Sequence, residues 1–329
     1  MYVSGRERRL AIGAVKTNQN SKVRKEEDIM KMKLFLRILI VTVTFFYAFT
    51  ETSLASTDWQ KIGGPAGTIY CGRPSSGSEI FTSMLFATNP QTGDIYRYKD
   101  IPLQWEHIGG PGKTFVVTGN GQLYGLSQDG SSVMHYKGTP GNWEKVGGPA
   151  GMIYAGGNLL FATNPQTGDI YRYKDIPQQW EHIGGPGKTF VVTGNGQLYG
   201  LSPDGSGVWH YKETPENWEK VGGPAGMIYA GGNLLFATNP QTGDIYRYKD
   251  IPPQWEHIGG PGKTFVVTGN GQLYGLSPDG SGVWHYKGTP ENWEKVWGPA
   301  GMIYAGGSHL YATNAQTNEV WAYIQLVPR

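Results

Sequence analysis

Seven tryptophans, Trp59, Trp105, Trp143, Trp180, Trp218, Trp255 and Trp293, stand at spacings of 46, 38, 37, 38, 37 and 38 residues. Each opens a W-x-x-[IV]-x-G-P segment. A fixed period of this length means a repeated supersecondary unit, whose apolar faces are buried against its neighbours. Two kinds of unit alternate. One, 143–179, carries the turn NPQTGD and is called N here; the other, 180–217, carries SPDGSG and is called S. The N copies 143–179 and 218–254 differ only at Gln178 versus Pro253, and the S copies 180–217 and 255–292 only at Glu213 versus Gly288. Such identity points to recent duplication of a two-unit module.

Within a unit the strand-like runs are short. In 143–179 they read WEKV, MIYAG, LLFAT and DIYRY, rich in β-branched and aromatic residues and bounded by GGP, GGN, NPQTG and KDIP. The chain holds 50 glycines and 21 prolines, so no stretch long enough for a helical solenoid escapes a breaker. There is no Gly-X-Y period, and 13% aromatic content argues against disorder. Four antiparallel strands per period predict an all-β, seven-bladed β-propeller over 56–329, with a linear β-solenoid as the alternative. The last unit stops after a third strand, Val320 to Ile324. The first tryptophan strand, Asp58 to Ile62, is expected to supply its fourth, so that the N- and C-terminal strands close the ring and leave no open edge.

The ends of the chain read differently. Residues 30–37 are basic, Ile38 to Phe49 apolar, and Ser53 and Ala55 small, which is the layout of a secretory signal peptide over 30–55 cleaved before Ser56. An N-terminal membrane anchor is the alternative, although a dozen apolar residues are short for a span of about 20. Residues 1–29 form a polar leader ahead of further start codons at Met30 and Met32, and no fold is assigned to them. A secreted, periplasmic or extracellular location follows, with no membrane span after cleavage. The first repeat has nine extra residues around 71–84, either a contact loop or a tolerated insertion. Residues 56–329 carry 18 Lys and Arg against 21 Asp and Glu, no excess with which to neutralise phosphates, so nucleic acid is not an expected partner. Cys71 is the single cysteine, so no internal disulfide can form.

Strand direction puts the GGP loop and the turn between a unit's middle strands on one face. That face repeats Asn89, Gln91 and Asp94, then Asn164, Gln166, Thr167 and Asp169, then Asn239, Gln241 and Asp244. Amides and carboxylates offer the paired donors and acceptors that sugar hydroxyls need. Tyr171, Trp209 and Trp284 are candidates for stacking on a sugar ring. The competing reading makes the same residues ordinary turn formers and packing aromatics. Six histidines, His107, His182, His257, His135, His210 and His285, are repeated copies without Cys partners and read as strand residues; no metal site or cofactor is implied. SPDGSG has one acid and does not make a calcium loop. No nucleophile, base and orienter converge, and none of the common catalytic strings occurs in 56–329, so no enzyme is expected.

The strings WEHIGG, GQLYGL and VWHY, or WEKVGG, LLFAT and IYRY, resemble the tectonin repeat over nearly all of 58–324. GQLYGL and the Pro-x-x-x-Trp link are also similar to tachylectin-like propellers, which bind N-acetyl sugars. The GGP order and LLFATN depart from the usual tectonin strings. The tectonin resemblance implies a β-propeller that binds glycans or lipopolysaccharide, and it transfers no binding residue. The expected function is a secreted, multivalent lectin for glycans or glycoconjugates. The alternative is an extracellular protein-interaction or adhesion scaffold with no sugar site.

Overall fold

The computed structural model describes residues 59–72, 84–100 and 102–323. The leader, the signal peptide with its cleavage point, and the insertion between Gly72 and Met84 lie outside the described residues. What is described is all-β, without a helix. Five sheets have four strands each, and a sixth has seven. In an N unit, Ile153–Gly156, Leu159–Thr163, Asp169–Lys174 and Gln179–Pro186 pair antiparallel in chain order. In an S unit, Thr189–Val192, Leu198–Leu201, Val208–Tyr211 and Trp218–Gly222 do the same. The seven-stranded sheet is an N and an S group fused. Strand Leu103–Val117 pairs with Asp94–Asp100 along its first part and with Leu123–Ser127 along its second.

The sheet frame is offset from the sequence repeat. Each tryptophan strand completes the sheet of the unit before it, so Trp218 faces Tyr211 and Trp180 faces Tyr173. The last N-type group, Ala300–Gly306, His309–Asn314 and Val320–Tyr323, takes Trp59–Gly63 as its fourth strand, with Trp59 opposite Tyr323 and Gln60 opposite Ala322. The first strands of successive groups touch in sequence order, and Ala300–Gly306 touches Ile69–Cys71. Two N-type groups are therefore neighbours there, although N and S alternate elsewhere.

The W-x-x-[IV]-x-G string has a direct structural meaning. Each indole N–H donates to the carbonyl three residues past the preceding tryptophan. Trp143 bonds Ile108 O at 2.9 Å, Trp180 bonds Val146 O at 2.9 Å and Trp218 bonds Ile183 O at 2.8 Å. Trp105, Trp255 and Trp293 do likewise, and Trp59 bonds Val296 O at 2.9 Å. After six of the seven [IV] positions a glycine makes room for that ring: a Cβ at Gly147 or Gly222 would stand 2.9 Å from the next indole nitrogen.

The core lies between adjacent groups. Phe161 and Ile170 of an N group meet Phe190, Leu198 and Tyr211 of the following S group, all buried. Each such side chain contributes about 1.5–3 kcal/mol when removed from water. At the inner strands the backbones approach so closely that a Cβ at Gly156 would stand 2.6 Å from Val192 O, and Gly194 N–H donates to Gly232 O at 2.5 Å. They surround a cavity of about 570 Å³ that Cys71 also lines. Burial pushes the Cys71 thiol up to about 12, so it stays protonated at neutral pH and is a poor nucleophile.

Candidate ligand-binding sites

The NPQTGD turn is held by its own side chains. Asn164 Oδ1 accepts from Gln166 N–H at 2.8 Å and from Thr167 N–H at 3.1 Å. Thr167 Oγ1 donates to Asp169 Oδ2 at 2.7 Å. The same bonds recur around Asn89 and Asp94 and around Asn239 and Asp244. The Asn and Asp side chains thus supply the local partners that fix an Asx-type turn. Gln91, Gln166 and Gln241 stand exposed at its tip. Asn89 and Gln91 also line a cavity of about 430 Å³ with Pro65, Tyr96 and Trp105. The S turn is built in the same way: Asp129 and Asp279 accept from the Ser131 and Ser281 N–H groups and from serine hydroxyls, which hold both carboxyls down at about 2.

The GGP loop does share a face with both turns. Pro186 pairs with Asp169 on one side, and on the other borders a groove of about 160 Å³ lined by Phe190, Ser202, Trp209 and Trp218. The equivalent groove is about 270 Å³ and is lined by Pro261, Phe265, Ser277, Trp284 and Trp293. Trp284 is 36% exposed. In the first S unit Met134 stands where these tryptophans stand. Tyr171 is engaged edge-on by His182, ring centres 5.1 Å apart.

A further cleft lies among strand ends and turns on the opposite face, and the repeat places copies of its lining residues at the two later S groups. The first encloses about 250 Å³ between an N group and the next S group, and is lined by Arg97, Gln122, His135, Tyr136, Lys137 and Gly138, among others. Arg97 donates to Glu106 at 2.8 Å and lies over the Tyr136 ring. His135 stacks on Tyr124, and its Nε2 lies 2.8 Å from Gln122 Oε1. Burial lowers the His135 pKa and favours the neutral ring, and with an amide oxygen as its partner Nε2 carries the proton. The histidines are strand residues, as read from the sequence. Among the described residues no group of three or more His, Cys, Asp or Glu could hold a metal ion.

The model of the Tectonin domain matches residues 81–277, more than half of the chain. The chain belongs to the tectonin family. No curated protein matches this tectonin in sequence. Its fold is similar to that of virginiamycin B lyase from Staphylococcus aureus, with a TM-score of 0.59 at 11% identity, covering 80% of this chain and 98% of that one. It is also similar to YCF48 bound to D1 peptide, with a TM-score of 0.58 at 13% identity over 83% and 98% of the two chains. YCF48 from Cyanidioschyzon merolae gives a TM-score of 0.53 at 11% identity over 80% and 97%. At these identities the likeness is one of fold.

Within the tectonin the sequence-predicted residues therefore separate. Trp209 and Trp284 line grooves, and Asn89 and Gln91 line a cavity. Asn164, Asp94, Asp169, Asn239 and Asp244 each hold their turn through one side-chain oxygen, and Gln166 and Gln241 stand exposed at the turn tips. The sequence reading missed Arg97, Gln122, Tyr136 and their copies, because the N and S residues of each cleft lie some 25 to 40 positions apart and carry no local motif.

Proposed function

We propose that this tectonin is a secreted, multivalent carbohydrate-binding protein, a seven-bladed propeller closed by its two terminal strands. Glycans and glycoconjugates, lipopolysaccharide among them, are the proposed ligands. The reading of a ring rests on the indole bonds, which run from each tryptophan strand to the one before it and from Trp59 to Val296. The lectin reading rests chiefly on one observation: the grooves at Trp209 and Trp284 present the same proline, phenylalanine, serine and paired tryptophans at two places on one face. An aromatic surface flanked by a serine hydroxyl suits a sugar ring, which is apolar on its faces and polar at its rim. Copies of a weak site raise apparent affinity by about 10²–10⁴ where one ligand engages them together. No catalytic role is proposed.

A glycan array tests this. The parent protein is expected to bind a subset of glycans, and Trp209→Ala with Trp284→Ala to lose that binding while keeping the fold. Asp169→Ala with Asp244→Ala is expected to lower stability by about 1 kcal/mol per turn and leave binding in place. Loss of binding in the Asp variant at unchanged stability would return the site to the NPQTGD turn. A protein-interaction scaffold is the second reading, favoured by Ile176 and Ile251, each 91% exposed on an outer turn. Absence of parent binding to every glycan would put that reading first.

A further inference from the structure

The S copies 180–217 and 255–292 differ at a single residue, and that residue lies at the opposite-face cleft. Gly138 lines the first cleft, and Arg97 Nη1 donates to its carbonyl at 3.4 Å. Gly288 holds the same place in the third cleft and Glu213 in the second. The backbone there is left-handed in all three, with φ of 87°, 64° and 88° at Gly138, Glu213 and Gly288. That conformation favours glycine and is strained for glutamate. Packing does not explain the glycines, since a Cβ at Gly138 or Gly288 meets nothing within 4 Å.

The Glu213 side chain turns back to the cleft wall. Gln197 Nε2 donates to Glu213 Oε1 at 3.4 Å, while Gln197 Oε1 lies 2.5 Å from His210 Nε2. The histidine fixes the orientation of the amide and leaves its N–H groups for a ligand-side acceptor. Gln122 and Gln272 are fixed the same way by His135 and His285, at 2.8 and 2.7 Å, and no carboxylate at position 138 or 288 meets them. One arginine atom differs as well. Arg97 Nε and Arg247 Nε are buried without a partner, and Arg172 Nε is not in that condition. In ion pairing the third cleft stands apart: Glu106 takes both Arg97 and Lys99 and Glu181 both Arg172 and Lys174, whereas Glu256 takes Lys249 at 2.7 Å and, among the described residues, Arg247 makes no ion pair.

We propose that the first and third clefts, Arg97–Gln122–Tyr136 and Arg247–Gln272–Tyr286, each bind the carboxylate of an acidic sugar, and that Glu213 closes the second by placing the protein's own carboxylate in the same position. The carboxylate part stands on the cleft residues alone; the sugar part rests on the glycan-binding reading above. Guanidinium and amide donors at the wall match a carboxylate acceptor, and charge-assisted bonds are the stronger kind.

D-glucuronate, glucose and acetate titrated separately into the folded protein, with site number read by calorimetry and by ligand-observed NMR, test it. Glucuronate is expected to occupy about two sites per chain and glucose none of them. Gly138→Glu and Gly288→Glu should each remove one site, and Glu213→Gly should add a third, a rise of about half in capacity. Gly138→Ala carries the same backbone strain without a carboxylate, and should keep both sites. Unchanged capacity in Glu213→Gly, or saturable binding that survives Gly138→Glu with Gly288→Glu, overturns the proposal. Equal affinity for acetate and glucuronate overturns the sugar part. None of these variants touches Trp209 or Trp284, so failure here and failure of the groove reading on the glycan array are read separately.

Discussion

The junction between Trp59 and Trp297 and the junctions inside the chain solve one packing problem in two ways. At six internal junctions the incoming indole lies against a glycine, as Trp180 lies against Gly147. At the seam that glycine is replaced by Trp297, which stacks on Trp59 with ring centres 4.3 Å apart and an angle of 15°. Tyr323 tilts against Trp59, Trp321 against Trp297, and Tyr274 meets Tyr323 edge-on. Elsewhere each tryptophan strand follows its sheet partner after a short loop, as Trp218–Gly222 follows Val208–Tyr211, which keeps the entropy of bringing them together small. Strand Trp59–Gly63 has no such loop to its partner Val320–Tyr323, so pairing and contact area must hold it. Its ion pair, Lys61 with Glu319 at 2.6 Å, is half-exposed and contributes little beside the aromatic cluster.

The largest expected effect comes from removing the seam strand. Deletion of residues 59–63 uncovers the edge of Val320–Tyr323 and takes away a buried tryptophan, whose loss alone costs about 3–5 kcal/mol. Denaturant unfolding and size-exclusion chromatography should show an unstable or aggregating protein, and a truncated chain as stable as the parent would mean that the seam holds nothing. An intermediate effect is expected from Trp297→Gly, which makes the seam like the internal junctions. The lost stack and burial should lower stability by about 1–3 kcal/mol. An unchanged melting curve would show that the stack does not compensate for the missing loop. The smallest effect, about 1 kcal/mol, is expected from Trp180→Phe, which keeps the ring but leaves Val146 O without its donor. Trp59→Phe should match it if the indole bond serves both junctions equally, and a larger loss at Trp59 would sharpen the contrast.

The period of the tryptophans made the all-β repeat legible, and the order of strands at the two ends made the pairing of Trp59 with Tyr323 legible too. Both follow from local chemistry repeated at fixed spacing. The pairing of GGP loops with turns on one face was legible for a related reason, since strand direction alternates. What single residues do inside that face was not. Asn164 and Asp169 read equally well as ligands or as turn formers, and only their distances to Gln166, Thr167 and each other decide how their oxygens are used. The opposite-face clefts were hidden more deeply. Arg97 and Gly138 sit 41 positions apart, and Glu213 was a single difference between two copies until its φ and its bond to Gln197 gave it a place.

The meeting of two N groups, where Ala300–Gly306 touches Ile69–Cys71, is a matter of parity. The described groups run N, S, N, S, N, S, N along the chain, so the first and the last, which touch, are of one kind. A duplicated N–S module adds one of each, so like kinds still meet at the ends after every round. The other junctions are copied with the module, and a substitution in one is multiplied with it. The contact between the two N groups is copied by none of these events. A residue there, such as Cys71 where the other N groups have Ala155, Ala230 and Ala305, can change once and stay single, which gives an otherwise repetitive molecule one place where its sequence is free to be unique.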